Sequence, residues 1–288
     1  MLDCRISAAT QRFAVLGESL GHTWSPQIHN SLFAAAGVDA IYLPMTVPRA
    51  QLSSAVDVLR SCYSGFNVTI PYKERIIPLL DEVDSAVLAC GAVNTVENRE
   101  GRLIGHITDG LGMLRAVEEG GVSTRGIDVL ILGGGGAARV AGYEFLMRGC
   151  RVAFAVRSPE KGILLAKSLA ETQPDGMKRL SVYPLSDIPG AHDLLVNCTP
   201  VGMYPNTCAR PVGIEVIARC RAVFDAVYNP CVTELLDVAR TLHIPCIEGL
   251  GMLFYQAVEA ERFWFGSDTL APNQVQQQIY LELLAHMA

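Results

Sequence analysis

The chain has 288 residues, of which half are hydrophobic and 18% are charged. This composition supplies enough apolar surface for a large buried core, so it excludes disorder as the main state, and the length favours two domains. The formal net charge is −6 and no block of Lys and Arg occurs, which is unlike the basic surface of a nucleic-acid-binding protein.

Neither a membrane segment nor a metal site is predicted. No apolar run reaches the roughly 18 to 20 residues that span a bilayer, and residues 1–9, with Asp3 and Arg5, lack the apolar core of a signal peptide. We therefore expect a cytoplasmic protein. The cysteines are odd in number and form no CxxC pair, so we expect mostly small buried hydrophobic side chains; His243 and Cys246 have ligand-like spacing but lack a second pair. The nine cysteines are Cys4, Cys62, Cys90, Cys150, Cys198, Cys208, Cys220, Cys231 and Cys246.

The first part of the chain alternates between short apolar runs and helical patterns. Strands are predicted at 13–17, 40–44, 65–70 and 103–108, helices at 27–36 and 49–61, and a turn within 88–96. Ser25 is predicted to cap the first helix, with Pro26 at its first position. The rhythm continues with helices at 109–119, 159–172 and 232–242, strands at 126–132, 151–156, 180–183, 193–198 and 223–226, and a helical tail at 250–288 that breaks at 267–272. Strands alternating with helices predict an α/β fold with largely parallel sheets, and we place the domain change near 110–125.

A glycine cluster follows the predicted strand at 126–132. Gly133 and Gly135 occupy the first two places of a GxGxxG pattern, and Ala138 occupies the last. Such a turn lets the backbone approach a pyrophosphate closely and places the anion at the N-terminus of the next helix. The strands on either side favour a Rossmann-type dinucleotide site over a glycine-rich loop without a ligand.

The turn after the next strand bears on the choice of cofactor. An Asp or Glu that reads the ribose 2′-hydroxyl of NAD is absent there, and Arg157 and Ser158 follow the strand instead, with Lys161 nearby. Cations and a hydroxyl suit a 2′-phosphate, so NADP(H) is favoured over NAD(H). The alternative interpretation is an exposed basic turn.

Polar residues also cluster at predicted strand ends in the first half. Lys73 follows one strand, on which Asn67 and Thr69 share a face, and Asp109 follows another. If the ammonium and the carboxylate meet, the pair can hold a hydroxyl and relay its proton, as hydride transfer to a ketone requires. Taken singly, Lys73 is read as a surface lysine and Asp109 as a turn or cap residue.

Taken together, the motifs resemble the shikimate dehydrogenase family over nearly the whole chain. The matching segments, in order, are HTWSP and HN (22–26, 29–30), NVTIPYK (67–73), GAVNT (91–95), TDG (108–110), GGGGAA (133–138), RS (157–158), NCTPVGM (197–203), YNP with Thr233 (228–230), and GLGML with QA (249–253, 256–257). So many motifs in this order are specific to that family.

The resemblance implies a two-domain enzyme of aromatic amino acid (chorismate) biosynthesis that reversibly reduces 3-dehydroshikimate to shikimate with NADPH. It implies a substrate-binding catalytic domain at 1–110, an NADP-binding Rossmann domain at 111–250, and C-terminal helices at 251–288 that pack back toward the substrate domain. It leaves the oligomeric state open, a homodimer included.

The resemblance also implies roles for individual residues. Lys73 would be the catalytic acid/base, with Asp109 as its partner, and no metal would take part. The implied substrate-binding residues are Thr23, Ser25, Asn67, Thr69, Asn94, Tyr228 and Gln256. The implied cofactor-binding residues are Gly133, Gly134, Gly135, Gly136, Ala137 and Ala138 of the glycine loop, Arg157, Ser158 and Lys161 of the basic turn, Thr199, Val201 and Met203 near the nicotinamide, and Gly249.

Four positions depart from the family pattern: Thr23 replaces a serine, Ile107 and Val156 replace asparagines, and Gly134 replaces an alanine. These departures leave two alternatives open beside an NADP-dependent shikimate dehydrogenase. One is a quinate/shikimate dehydrogenase that uses NAD, and the other is a non-catalytic relative that senses a cyclic acid or the cofactor. Arg157 argues against the use of NAD, and the presence of both Lys73 and Asp109 argues against a non-catalytic relative.

Overall fold

The computed structural model describes residues 6–21 and 23–287, the side chain of residue 287 excepted. The features predicted at Asp3, Cys4, Arg5 and His22 lie outside the described residues. The chain divides into two compact units. The first unit comprises the described residues up to Thr108 together with Ala257–Met287, and the second unit comprises Asp109–Gln256.

The first unit is built on a six-stranded mixed sheet. Its strands are β1 (Gln11–Gly17), β2 (Ala40–Thr46), β3 (Gly65–Val68), β4 (Glu82–Val83), β5 (Thr95–Arg99) and β6 (Arg102–His106), in the order β2-β1-β3-β5-β6-β4. β1 runs parallel to β2 and β3, whereas β5 is antiparallel to β3 and β6. The tight turn Glu100–Gly101, with φ of +53° and +88°, joins β5 to β6 as a hairpin. This sheet is therefore less parallel than the sequence predicts.

Before the second unit, the described residues form three α-helices: α1 (Ser25–Ala36), α2 (Leu52–Cys62) and α3 (Ser85–Cys90). The prediction that Ser25 caps α1 is wrong, because Trp24 occupies the cap position and no side chain caps the helix. The region 88–96, in which a turn is predicted, contains the end of helix α3. This helix begins at Ser85, and the side chain of the preceding Asp84 caps it by accepting a hydrogen bond from Val87 N at 2.8 Å. α3 ends at Gly91, whose φ of +70° is left-handed.

The second unit is built on a fully parallel six-stranded sheet. Its strands are β7 (Asp128–Leu132), β8 (Arg151–Val156), β9 (Leu180–Pro184), β10 (Leu194–Asn197), β11 (Val223–Asp225) and β12 (Cys246–Ile247), in the order β12-β11-β10-β7-β8-β9. Its helices are α4 (Asp109–Glu119), α5 (Gly136–Met147), α6 (Pro159–Ala170), α7 (Ile214–Ile217) and α8 (Glu234–Thr241). The strand order reverses between β7 and β10, and open α/β sheets bind ligands at the carboxyl ends of strands at such a point.

The last helices are α9 (Gly249–Phe265) and α10 (Asn273–Met287). The end of α9 packs into the core of the first unit, where Trp264 lies 4.6 Å from Phe13 between ring centroids. Trp264 Nε1 also donates a hydrogen bond to Val96 O at 3.1 Å, which ties the helix to β5. In the part of the chain that the structure describes, no helix combines the length and the apolarity needed to cross a bilayer.

The cysteines follow the sequence prediction in part. Cys90, Cys150, Cys220 and Cys231 are buried and unbridged, but Cys62 and Cys208 are exposed. Among the described residues no group of three or more His, Cys, Asp or Glu side chains is arranged to hold a metal ion.

Candidate active site

Two hydroxyl side chains lie together at the start of α1. Thr23 Oγ1 donates a hydrogen bond to Ser25 Oγ at 3.2 Å, and both side chains are half-buried. Because Ser25 does not cap α1, its hydroxyl is not used by the helix N–H groups. The two neighbouring hydroxyls form a polar corner suited to an anionic oxygen.

The Asn67 side chain is held rigidly at the end of β3. Its Oδ1 accepts a hydrogen bond from Tyr42 Oη at 2.6 Å, and its Nδ2 donates to Asn94 O at 3.0 Å and to Thr95 Oγ1 at 2.9 Å. Both amide hydrogens are therefore used within the protein, and the buried His29 ring also interacts with this side chain. The predicted substrate residue Asn67 is thus also an organiser of the site.

Asn94 extends the same network to the end of the first unit. Its Oδ1 accepts from Thr108 N at 2.7 Å, and its Nδ2 donates to Thr108 Oγ1 at 3.0 Å. Asn94 and Thr108 are buried. The Asn94 side chain therefore fixes the backbone immediately before Asp109, the predicted partner of Lys73.

Lys73 lies beside this network. It is half-buried, and its backbone oxygen accepts from Val93 N at 2.8 Å, which places it next to Asn94. Thr69, four residues earlier, donates its backbone N–H to Leu16 O at 2.9 Å and so continues the alignment of β3 with β1. The first unit thus brings Asn67, Thr69, Lys73 and Asn94 to neighbouring strand ends.

A buried pair of titratable side chains lies behind this network. His29 Nδ1 and Glu261 Oε1 are 3.0 Å apart, and the His29 ring stacks on Tyr42 with centroids 4.2 Å apart and planes 13° apart. Burial lowers the pKa of His29 to about 3 and raises the pKa of Glu261 well above its usual value. Burial thus favours the uncharged form of both side chains, directly behind the tyrosine that orients Asn67.

Asp109 and Gln256 lie on two packed helices of the second unit. Asp109 is the half-buried first residue of α4. A Cβ on Gly112 would lie 2.4 Å from Gln256 N, so α4 and α9 approach so closely here that only glycine fits. The Gln256 side chain is buried and donates to Leu253 O at 3.0 Å. Since Lys73 belongs to the first unit and Asp109 to the second, their pairing stays a prediction.

The glycine loop after β7 forms an open cradle. Gly133 has a φ of +110°, and Gly134–Ala137 are exposed before the chain is buried again at Ala138. Cβ atoms added at Gly135 or Gly136 would meet no atom within 4 Å, so the space above the N-terminus of α5 is open. Free N–H groups beside such a space suit a pyrophosphate, and these residues fit the predicted dinucleotide.

The basic turn adjoins this cradle. A Cβ on Gly134 would lie 3.3 Å from Val156 Cγ1, so Arg157 follows directly on a residue that contacts the glycine loop. Arg157 and Lys161 are exposed, and Ser158 Oγ donates to Glu160 Oε2 at 3.2 Å. Both cations are thus accessible to solvent, the Glu160 carboxylate lies beside the serine, and the binding of a 2′-phosphate here stays a prediction.

The loop after β10 borders the first glycine. A Cβ on Gly133 would lie 3.2 Å from Thr199 Cγ2 and 3.3 Å from Cys198 O. Thr199 and Val201 are half-buried, whereas Met203 is exposed. Thr199 therefore lies next to the cradle, at the point where the strand order reverses, whereas the roles of Val201 and Met203 toward the nicotinamide stay predictions.

The remaining predicted residues have other surroundings. Tyr228 is exposed on the loop after β11. Gly249 is buried, and a Cβ there would lie 2.6 Å from Ala226 O, so close packing against the end of β11 already requires a glycine. A role of Gly249 toward the cofactor stays a prediction.

No role was predicted from the sequence for several buried polar residues around the site, although His29 belongs to the HN segment that matches the family pattern. Tyr42, His29 and Glu261 form the layer behind Asn67, and Asp225 forms a second buried network in the Rossmann unit. Asp225 gave a usable signal, since a carboxylate directly after the apolar pair Val223–Phe224 is unusual in a buried strand. The pairing of His29 with Glu261 spans 232 residues and leaves no local pattern.

Comparison with known proteins agrees with this architecture. Residues 15–96 match the family model described as the shikimate dehydrogenase substrate binding domain. The chain is 39% identical over 266 residues to shikimate dehydrogenase (NADP(+)) of Methanothermobacter thermautotrophicus, covering 91% of this chain and 94% of the relative.

Two solved structures are similar over almost their full length. A shikimate dehydrogenase in complex with NADP+ superimposes with a TM-score of 0.89 at 33% identity, covering 97% of both chains. The shikimate 5-dehydrogenase of Thermus thermophilus in complex with NADP(H) and shikimate superimposes with a TM-score of 0.83 at 32% identity, covering 94% of this chain and 99% of its own. With this identity over most of its length, together with the predicted α/β fold and the open glycine cradle, the chain belongs to the shikimate dehydrogenase family.

Proposed function

We propose that this protein catalyses the NADP-dependent, reversible reduction of 3-dehydroshikimate to shikimate. The observation that carries the proposal is the hydrogen-bonded network of Asn67, Thr95, Asn94 and Thr108, which supports Lys73 on one side and fixes the backbone before Asp109 on the other. A chain of this family that keeps both Lys73 and Asp109 has the groups that a carbonyl reduction needs.

The second unit would bind the cofactor. The exposed Gly134–Gly136 backbone would hold the pyrophosphate at the N-terminus of α5, and Arg157 with Lys161 would neutralise the 2′-phosphate. When bound, NADPH supplies the hydride that converts the carbonyl carbon into a secondary alcohol. Thr199 and Val201 would border the nicotinamide and keep water from it.

The proton would come from the first unit. As the carbonyl carbon accepts the hydride, its oxygen takes on negative charge, and the Lys73 ammonium would donate a proton to it. Asp109 would hydrogen-bond a ring hydroxyl and hold the lysine in its donating position. In the reverse direction, Lys73 would accept the hydroxyl proton while the hydride leaves.

The carboxylate of the substrate would lie at the hydroxyl corner of α1. Thr23 and Ser25 are neighbours at 3.2 Å, so both can turn toward one carboxylate without rearranging the helix. The methyl group of Thr23 narrows this corner relative to the serine of the family pattern. Asn67, Thr69, Asn94, Tyr228 and Gln256 would contact the remaining polar groups of the ring.

The test is the rate of NADP+ reduction with shikimate, measured by absorbance of the reduced cofactor. Lys73→Ala should lower kcat by roughly 10²- to 10⁴-fold, the usual contribution of general acid/base catalysis, and should change substrate binding less. Arg75→Ala, which removes an exposed cation two residues away, should leave kcat within about two-fold. A Lys73→Ala variant within a few-fold of the wild type would exclude Lys73 as the proton donor.

The same assay with quinate and with NAD+ decides the alternatives. Turnover with NADP+ and shikimate well above the other three combinations supports the proposal. Preference for NAD+ or quinate would assign a quinate/shikimate dehydrogenase, and no turnover with any combination would favour a ligand-sensing relative.

A further inference from the structure

A buried carboxylate, Asp225, is the hub of a hydrogen-bond network in the second unit that the proposed reaction does not use. Asp225 is fully buried at the end of β11. Its Oδ1 accepts from Asn197 Nδ2 at 2.9 Å and from Val227 N at 3.0 Å, and its Oδ2 accepts from Thr233 Oγ1 at 2.6 Å. Three donors thus converge on one carboxylate, which offsets the cost of its burial.

The orientation of the Asn197 side chain is fixed because one end of its amide, Nδ2, donates hydrogen bonds and the other end, Oδ1, accepts them. Its Nδ2 points to Asp225, so its Oδ1 faces the opposite way and accepts from Thr199 N at 3.0 Å and from Thr199 Oγ1 at 2.7 Å. A carboxylate can only accept in this position, so it selects one of the two orientations of the amide. Flipping the amide would place its oxygen against the carboxylate and its NH2 group against two donors.

The loop held by this amide is the one that borders the glycine cradle. Asn197 Nδ2 also lies 3.4 Å from Val201 O, and Thr199 Oγ1 accepts from Val201 N at 3.3 Å, so the amide ties both ends of the turn 199–201. At its start, Cys198 N donates to Leu132 O at 3.0 Å, directly before Gly133. The position of Thr199 beside Gly133 therefore depends on the orientation of one buried amide.

We infer that Asp225 is a positioning residue for the nicotinamide half of the cofactor, acting through Asn197 on the turn 199–201. The inference rests on the proposed function, since it takes NADP(H) as the ligand of the glycine cradle. The adenosine half would be held elsewhere, at the basic turn after β8, and no hydrogen bond of the Asp225 network reaches that turn among the described residues. Loss of the network should therefore weaken one half of the cofactor site and spare the other.

The experiment compares two probes, NADP+ and 2′,5′-ADP, which lacks the nicotinamide half, by calorimetry on the full-length chain. Asp225→Ala should weaken NADP+ binding at least ten-fold and change 2′,5′-ADP binding less than two-fold. Asp225→Asn should restore NADP+ binding to within about three-fold, because its one oxygen can accept from Asn197 while the Thr233 hydroxyl rotates to accept from the new amide.

Thr233→Val is the matched control. It removes one donor from the same carboxylate and the side-chain cap of α8, yet it keeps the Asn197 arm, so both affinities should stay within two-fold while the melting temperature falls. Should Asp225→Ala not fold, Asn197→Ala decides instead. It leaves Asp225 with its bonds from Val227 N and Thr233 Oγ1 but removes the amide that holds the turn 199–201, and it should weaken NADP+ binding by at least three-fold, again sparing 2′,5′-ADP.

The outcomes separate this inference from the proposed function. Wild-type protein that binds neither probe would overturn both. Wild-type protein that binds both probes, with a variant that loses them in equal measure or loses neither, would overturn the positioning role alone. Selective loss of NADP+ affinity, with rescue by Asp225→Asn, would establish it.

Discussion

The buried pair behind the substrate network should make the stability of the protein respond to pH in a way that two substitutions can reverse. His29 and Glu261 are almost completely inaccessible to solvent and lie 3.0 Å apart. Burial lowers the pKa of His29 from 6.5 to about 3 and raises that of Glu261 well above 4.5. We expect the folded pair to hold one proton between pH 4.5 and 6.5.

The proton balance fixes the sign and the size of the effect. In this range the unfolded chain binds one proton, on His29, and leaves Glu261 ionised, so the wild-type pair contributes no net slope. In Glu261→Gln the folded state holds no proton and the unfolded state still holds one. The unfolding free energy of this variant should then fall as pH decreases, by up to about 1.4 kcal/mol per pH unit and about 2 kcal/mol over the whole range.

His29→Gln should show the opposite slope. Its folded state keeps a proton on Glu261 that the unfolded state releases above pH 4.5, so its stability should fall as pH rises toward the raised pKa of Glu261. The double variant removes both groups and should run parallel to the wild type. Because all other titrating groups are shared, differences between the four curves isolate the pair.

Urea unfolding at pH 4.5, 5.5 and 6.5 measures these curves, with fluorescence of the two tryptophans as the signal. Parallel curves for the wild type and Glu261→Gln would refute the reasoning, because they would mean that no proton is exchanged on folding at this site. Slopes of the same sign in both single variants would refute it equally.

Three further predictions concern single contacts. Tyr42→Phe removes the hydrogen bond to Asn67 and should lower the free energy of unfolding by about 1–3 kcal/mol. The control Tyr72→Phe loses an equally buried hydrogen bond to a backbone carbonyl and should lower it by a similar amount. In initial-rate measurements only Tyr42→Phe should raise the KM for shikimate, by about five-fold if about 1 kcal/mol of binding energy is lost. Arg157→Ala should weaken NADP+ binding and leave NAD+ binding nearly unchanged in titrations, whereas equal losses would remove the 2′-phosphate assignment. Gly249→Ala should destabilise the protein by about 1–3 kcal/mol in urea, because the new methyl group lies 2.6 Å from Ala226 O; a neutral result would contradict the packing reason.

The second unit was the easier half to predict, because its signals are local. Strands such as β8 (Arg151–Val156) are largely continuous apolar runs, and the glycine turn after β7 indicates both where that strand ends and where the next helix begins. The first unit contains the antiparallel β5, which pairs with β3 some 30 residues earlier along the chain. A run of alternating residues predicts a strand, but neither its neighbour nor its direction follows from the run itself.

The site shows the same division between local and distant causes. The sequence predicted Ser25 as a helix cap because a serine before a proline is the usual signal, yet Ile28 N bonds to Trp24 O and the helix begins one residue earlier. The shift changes which group the Ser25 hydroxyl contacts. As a cap, its oxygen would accept a hydrogen bond from a helix N–H group, whereas in the structure it accepts one from Thr23 Oγ1. The capping signal is therefore wrong at a residue to which the family resemblance assigns substrate binding. Departures from local sequence rules are expected at functional residues of this kind.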